Sequence, residues 1–156
     1  MKSFEQSFKV NCGLDKVWNF YTNTKHLEII TPPQLKLRII ETSNNQQVVE
    51  GLRMTLSTKL VLYSSKWHSI ISLVDISRHM YIDEMVKGPF KKWKHVHLFS
   101  DIGKNQTLVT DTIEFELPFF FLGKLMEGYV ENNLMKIFEY RKIQTVNILS
   151  NKSDDK

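Results

Sequence analysis

The last long stretch of the chain, residues 121–149, has the apolar spacing of an amphipathic helix. Its apolar side chains recur mostly at intervals of three and four residues, which places them on one helix face. They are Leu122, Leu125, Met126, Tyr129, Val130, Leu134, Ile137, Phe138, Ile148 and Leu149. Such a helix is ~40 Å long at ~1.5 Å per residue. It needs a wide apolar surface to cover this stripe.

The residues before this helix alternate between apolar and polar, which is the pattern of strands. Residues 4–10 predict a first strand, and residues 17–21 and 24–30 predict two short helices. Between residues 35 and 117 the period-two pattern returns, interrupted by turn residues, and predicts about six further strands. Consecutive strands joined by tight turns form an antiparallel meander. The sequence therefore predicts an α+β fold in which a curved antiparallel sheet of six to seven strands surrounds the long C-terminal helix.

Three local boundaries within the strand region are also predicted. Residues 35–39 form one strand after two consecutive prolines, because those prolines force an extended exit from the second helix. Residues 44–45, both asparagine, form a hairpin turn. Residues 63–65 interrupt the strand that precedes them.

Length and composition narrow the class of protein. The 156 residues, 42% of them hydrophobic, predict one domain over residues 1–149 and a disordered polar tail over residues 150–156. The lone Cys12 excludes an internal disulfide and favours a reducing compartment. The longest apolar run, residues 117–122, is too short to span a bilayer. We therefore predict a cytoplasmic protein, a monomer or homodimer, without stable membrane insertion.

One predicted strand and its neighbour carry the main polar anomaly. Trp93, His95, His97 and Phe99 share one strand face, and lysines occupy the other. Lysines prefer solvent, so the aromatic and histidine face is predicted to point inward. The same reasoning turns Asp111 of the next strand inward. Two imidazoles and a carboxylate in an apolar interior are unfavourable unless they bond each other, water or a ligand.

A series of motifs extends along nearly the whole chain. They are Val17-Trp18-Asn19-Phe20, Leu27 with Ile30-Thr31-Pro32-Pro33, Gly51, Trp67 with Ile71, Tyr81-Ile82-Asp83, Gly88-Pro89-Phe90 with Trp93, His95, His97 and Phe99, then Asp111, Ile113, Phe115, Leu117-Pro118, and Ile137-Phe138-Glu139-Tyr140-Arg141. This pattern resembles one branch of the START/Bet v 1-like superfamily, the SRPBCC group of ligand-binding and polyketide-cyclase-like proteins. The resemblance implies a helix-grip fold, in which the sheet wraps the C-terminal helix around a hydrophobic cavity. Met85 stands where this branch often has glutamine, so one polar cavity contact is expected to be missing.

The inward faces and the resemblance together define the expected ligand-binding residues. They are Met54, Trp67, Asp83, Trp93, His95, His97, Phe99, Asp111, Phe115, Tyr129 and Arg141. Arg141 has two open interpretations, an internal pair with Asp83 or Asp111 and a surface position near the helix end. Residues 119–122 could gate the cavity mouth, touch a membrane or pack the start of the helix, and the packing role is favoured.

The leading functional hypothesis is binding of a small hydrophobic ligand, aromatic or lipid-like, in the internal cavity. The alternative is a cyclase or dehydratase-type enzyme in which His95 or His97 is the general acid or base and Asp111 fixes its tautomer. The same three side chains could also ligate a metal, but hydrogen-bonded cavity lining is favoured, so no metal or cofactor is predicted. The lysines near Trp93 are interpreted as a solvated outer face, so no nucleic-acid partner is predicted.

Overall fold

The computed structural model describes residues 1–44, 46–60, 63–118 and 120–150. One strand, two short helices, six strands and a long helix follow each other in this part of the chain. They are β1 (Lys2–Val10), α1 (Leu14–Tyr21), α2 (Lys25–Ile29), a 3₁₀ turn (Pro33–Leu35), β2 (Arg38–Thr42), β3 (Arg53–Leu60), β4 (Tyr63–Asp75), β5 (Met80–Lys87), β6 (Lys92–Asp101), β7 (Thr107–Glu116) and α3 (Phe120–Ser150). This is the predicted α+β order.

The seven strands form one antiparallel sheet. Their spatial order is β1-β7-β6-β5-β4-β3-β2. Strands β2 to β7 therefore pair with their neighbours in the chain, whereas β1 pairs with β7. The pairing shifts register within β2 against β3 and within β4 against β5, and such bulges bend the strands that contain them. The curved sheet and the long helix confirm the predicted helix-grip fold.

The strand that follows the two prolines begins later than predicted. Leu35 ends the 3₁₀ turn, and Lys36 follows in a left-handed conformation with φ 45°. Pro33 opens that turn because its fixed φ and missing N–H suit the first position of a helical segment. The extended chain therefore starts at Arg38.

The predicted break over residues 63–65 is wrong. These residues are the first three of β4 and pair with residues 58–60 of β3. Serine has only a weak strand preference, and the pairing partner outweighs it. Asn45, half of the predicted hairpin turn, lies outside the described residues.

The buried stripe of α3 is narrower and more polar than predicted. Its buried members among the described side chains recur every three or four residues. They are Leu134, Phe138, Arg141, Thr145 and Leu149. Tyr129 is 48% exposed, because a step of five residues places it ~140° around the helix from Leu134 at 3.6 residues per turn. Arg141 is thus internal, which excludes the surface position that was one of its two interpretations.

Two predicted segments lie partly outside the described part of the chain. Ser150, assigned to the polar tail, is the last residue of α3, and residues 151–156 are not described. The side chains of residues 119–122, proposed to pack or gate the helix start, also lie outside the description. The one-domain assignment over residues 1–149 stays a prediction.

The core contains the strand faces that the alternation predicted to point inward, and it is divided into two clusters. One cluster joins β1, α1, β6 and β7 and includes Val10, Val17, Phe99 and Val109. A second lies under α3 and contains Ile113, Phe115, Leu134 and Phe138. In β7, burial alternates residue by residue along the whole strand, which is the mark of a sheet with one face toward the interior.

Candidate functional site

A cavity of about 180 Å³ lies between the concave face of the sheet, the α2–3₁₀ segment and the C-terminal half of α3. Most of its wall is apolar or aromatic. The expected ligand-binding residues on this wall are Met54, Trp67, Asp83, Trp93, His95, His97 and Arg141. The structure therefore brings together side chains from five elements that are far apart in sequence.

Four of the expected residues do not lie on the wall. Phe99 is 1% exposed and packs against aromatic rings of α1 and β5, and Phe115 is enclosed in the cluster under α3. Asp111 lies behind the two histidines, hydrogen-bonded to His95 and 2.9 Å from His97 Nδ1. Tyr129 lies on the exposed side of α3. Alternation fixes which strand face is inward, but not how far along that face the cavity extends.

The sequence interpretation missed a second part of the wall. Leu27 and Ile30 of the α2 region, Leu35 of the 3₁₀ turn and Leu37 close one side of the cavity. Their signal was a run of apolar residues on both sides of the two prolines, and Leu27 and Ile30 also belong to the family-like motifs. Such a run also suits surface packing of a short helix, so it did not identify a wall.

His95, His97 and Asp111 form one buried cluster at the base of the cavity. His95 Nε2 is 2.8 Å from Asp111 Oδ1, and His97 Nδ1 is 2.9 Å from the same oxygen. The register places His97 directly opposite Asp111 on β7 and opposite Tyr81 on β5. The imidazole of His97 stacks on the Tyr81 ring at 4.1 Å and lies 3.6 Å from that of His95.

The protonation of this cluster follows from its burial and its contacts. Burial lowers the pKa of His95 to about 3, and His97 acts in the same direction, against the hydrogen bond to Asp111. Burial alone would raise the pKa of Asp111, but the hydrogen bond with His95 and the presence of His97 outweigh it and hold the pKa below its usual range. An ionised carboxylate only accepts hydrogen bonds. His95 is therefore neutral at pH 7, with its proton on Nε2.

The neutral state of His95 gives stability a defined pH dependence. The unfolded chain binds a proton at His95 near pH 6.5, whereas the folded protein does not until about pH 3. The contribution of neutral His95 to the free energy of unfolding is therefore fully present above pH 6.5 and is lost as the pH falls. We expect the free energy of unfolding of the wild type to fall more steeply than that of His95→Gln between pH 6.5 and 5, by about 1.4 kcal/mol per pH unit at most.

Urea unfolding of both proteins across this range measures the difference. Burial raises the pKa of Asp83, so the pH dependence that Asp83 gives to the free energy of unfolding has the opposite sign. Both proteins contain Asp83, so this effect cancels when they are compared. Parallel curves for the wild type and His95→Gln would contradict a neutral buried His95.

The three side chains could also hold a metal ion. One ligand atom of each lies within 4.8 Å of the others, and two imidazoles with a carboxylate suit a transition metal. The 2.8 Å between His95 Nε2 and Asp111 Oδ1, however, is the length of a hydrogen bond. The geometry thus fits a hydrogen-bonded His95–Asp111 pair, and the absence of a metal stays a prediction.

Arg141 and Asp83 bring opposite charges to the same wall. Arg141 is 7% exposed, and its guanidinium lies over the Phe138 ring at 4.6 Å. No carboxylate of the described residues forms an ion pair with it, and its Nε has no hydrogen-bond partner among them. Asp83 lies opposite His95 in the β5–β6 register, and its Oδ1 also lacks a partner within the described residues.

Unsatisfied polar atoms are concentrated at this cavity. Five buried atoms on wall residues make no hydrogen bond to another described residue: Thr58 Oγ1, Trp67 Nε1, Asp83 Oδ1, His97 Nδ1 and Arg141 Nε. Buried polar groups in proteins are nearly always paired, and each exception calls for an explanation. Five exceptions around one cavity are hydrogen-bonding groups for which water or another molecule in the cavity would be the partner.

Solved structures with similar folds were found. A START superfamily protein from Mycobacterium smegmatis has a TM-score of 0.72 at 11% identity, with 96% of this chain and 97% of that chain covered. Norcoclaurine synthase from Thalictrum flavum has a TM-score of 0.72 at 16% identity, with 98% and 89% covered. The Zhui aromatase/cyclase from a Streptomyces species has a TM-score of 0.67 at 16% identity, with 95% and 90% covered.

These likenesses define the class of fold. The chain has the helix-grip fold of START/Bet v 1-like (SRPBCC) proteins, as the sequence motifs predicted. No family model matches the chain, and no curated protein matches it. None of the helices in the described part of the chain combines the length and the apolar character that crossing a membrane requires.

Proposed function

We propose that this protein binds a small hydrophobic molecule, aromatic or lipid-like, in the cavity between the sheet and α3. The observation that carries this proposal is an apolar cavity of about 180 Å³ with unpaired polar atoms on its wall. Apolar cavities of ~150 Å³ take up benzene-sized molecules. A ligand with a single ring therefore suits the available space.

The similar structures give a reason to begin with single-ring compounds. The norcoclaurine synthase structure contains dopamine and hydroxybenzaldehyde. Both are single aromatic rings with polar substituents. The wall of the present cavity has aromatic side chains for a ring and polar atoms for substituents.

A small molecule also suits the charge distribution better than a nucleic acid does. The lysines near Trp93 lie on the outer face of the sheet, beside carboxylates of β7. Lys91 forms an ion pair with Glu116, and Lys94 lies opposite Glu114 in the register. A basic surface for phosphates needs uncompensated cations, and these are partly neutralised. The predicted absence of a nucleic-acid partner is therefore retained in the proposal.

A thermal-shift screen with single-ring compounds tests the proposed binding. A compound at 100 times its Kd stabilises the folded state by ~2.7 kcal/mol, which for a chain of this size raises Tm by about 5–10 °C. We expect Leu37→Trp to remove most of the shift, because Leu37 lies on the cavity wall and an indole would fill space there.

Ile40→Trp is the matched control for that experiment. Ile40 lies three residues further along the chain, is 59% exposed and is not part of the wall. Ile40→Trp should leave the ligand-induced shift in Tm unchanged. Equal loss of the shift in both variants, or no shift with any ring compound in the wild type, would refute binding in this cavity.

A second candidate function is acid–base catalysis on a bound ligand. The specific observation in its favour is that both imidazoles lie on the cavity wall with Asp111 behind them, an arrangement that can orient a base. The low pKa of His95, caused by burial, makes its imidazole a weak proton acceptor at pH 7, so binding is favoured. Loss of turnover in a folded His95→Ala variant would support the enzyme instead.

A further inference from the structure

Arg141 places a permanent positive charge on the cavity wall. Its side chain is more than nine-tenths buried and lies on the wall, and a guanidinium cannot lose its charge by deprotonation in a protein. Its guanidinium lies over the Phe138 ring, and its charge lowers the pKa of Asp83 against the effect of burial. Its Nε makes no hydrogen bond to another described residue. A buried donor without a hydrogen-bonding partner is unfavourable, and the described residues supply no acceptor to this Nε.

The nearby acids do not supply that acceptor. Asp111 Oδ1 contacts His95 and His97, and Asp111 forms no ion pair with Arg141. Asp83 forms none either, although both residues lie on the wall. Burial raises the pKa of Asp83, so this carboxyl can become neutral and donate a hydrogen bond. The guanidinium of Arg141 cannot become neutral in this way.

We propose that the ligand carries a carboxylate, or an acceptor group of the same planar shape, that pairs with the guanidinium of Arg141 while its apolar ring lies among Met54, Trp67 and Trp93. The planar donors of a guanidinium match a carboxylate through two parallel hydrogen bonds. This inference rests on the proposed binding function and specifies its ligand class, a small aromatic acid.

A cationic ligand fits the same wall less well. An amine paired with Asp83 would bring a second positive charge into a cavity where Arg141 has no ion pair with the described residues. A neutral ring compound would leave the guanidinium buried and unpaired. The raised pKa of Asp83, caused by its burial, reduces the repulsion between this carboxyl and a bound anion.

Three single-ring probes that differ only in their polar group test the proposal: phenylacetate, phenylacetamide and phenethylamine. Calorimetric titration gives the affinity of each for the wild type. We expect phenylacetate to bind about 10- to 100-fold more tightly than the amide, the range of a hydrogen bond to a charged group, and the amine to bind most weakly.

Substitution of Arg141 identifies the group responsible. In Arg141→Met the preference for phenylacetate over phenylacetamide should disappear while the amide still binds. Arg141→Lys should retain part of it, because lysine keeps the charge but not the planar pair of donors. Lys136→Met is the matched control: it removes a cation from an exposed position on the same helix and should leave the preference unchanged.

The possible results separate this inference from the proposed function. Equal binding of acid and amide to the wild type, or tighter binding of the amine, overturns the ligand class while binding in the cavity stands. Failure of all three probes and of the single-ring screen overturns both. The comparison among probes uses the wild type, so it remains decisive even if Arg141→Met does not fold.

Discussion

Asp111→Ala is expected to lower the free energy of unfolding by about 1–3 kcal/mol, the range for leaving a buried hydrogen-bond donor without its partner. Asp111 is 0% exposed, and one of its oxygens lies within 2.9 Å of both His95 and His97. Without the carboxylate, His95 Nε2 loses its hydrogen bond inside the protein. A loss of this size is a large part of the stability of a small domain.

Glu114→Ala is the matched control for Asp111→Ala. Glu114 lies on the same strand three residues later and points to the other face, so its removal should change stability by no more than ~0.5 kcal/mol. Urea unfolding at pH 7 measures both variants. Asp111→Asn should lose less than Asp111→Ala, because its amide oxygen still accepts a hydrogen bond. Similar small losses for Asp111→Ala and Glu114→Ala would show that the cluster is not a buried network.

Phe99→Ala is expected to lower the free energy of unfolding by about 3–5 kcal/mol, the usual loss for a fully buried phenylalanine. The Phe99 ring is 1% exposed, and its centroid lies 4.8–6.3 Å from those of Trp18, Tyr21 and Tyr81. Removal of the ring leaves a hole between α1 and the sheet that these large side chains cannot close. Chemical denaturation measures the loss.

Phe90→Ala provides the comparison for that result. Phe90 is half-buried and lies on the cavity wall against Trp67 and Trp93, so its removal enlarges an existing space and should destabilise less. It should also weaken binding of ring compounds, whereas Phe99→Ala should not do so directly. Equal destabilisation by the two substitutions would contradict the assignment of Phe99 to the closed core and Phe90 to the cavity.

The order of elements could be predicted because local patterns determine it. The alternation in residues 92–101 and 107–116 is uninterrupted, so the inward position of His95, His97 and Asp111 followed from counting residues. The long helix followed from its three- and four-residue spacing. Boundaries that depend on pairing could not be found this way: residues 63–65 are extended because β3 lies beside them.

The candidate site could be predicted only in part. The strand faces gave Met54, Trp67 and Trp93, all on the cavity wall. The same reasoning gave Phe99 and Phe115, which are equally inward but lie where other side chains fill the space. Inward direction is a property of one strand. Whether an inward side chain meets a cavity or a packed neighbour depends on the elements opposite to it.

The sequence by itself determined the elements, their order and the burial of two imidazoles and a carboxylate, since periodicity and the avoidance of buried lysine are local rules. Only the tertiary structure decided that Arg141 of α3 faces the same cavity as Asp83 of β5, without an ion pair between them. The two residues are far apart in the chain. Their relation depends on how the curved sheet holds the helix, and no local pattern records that curvature.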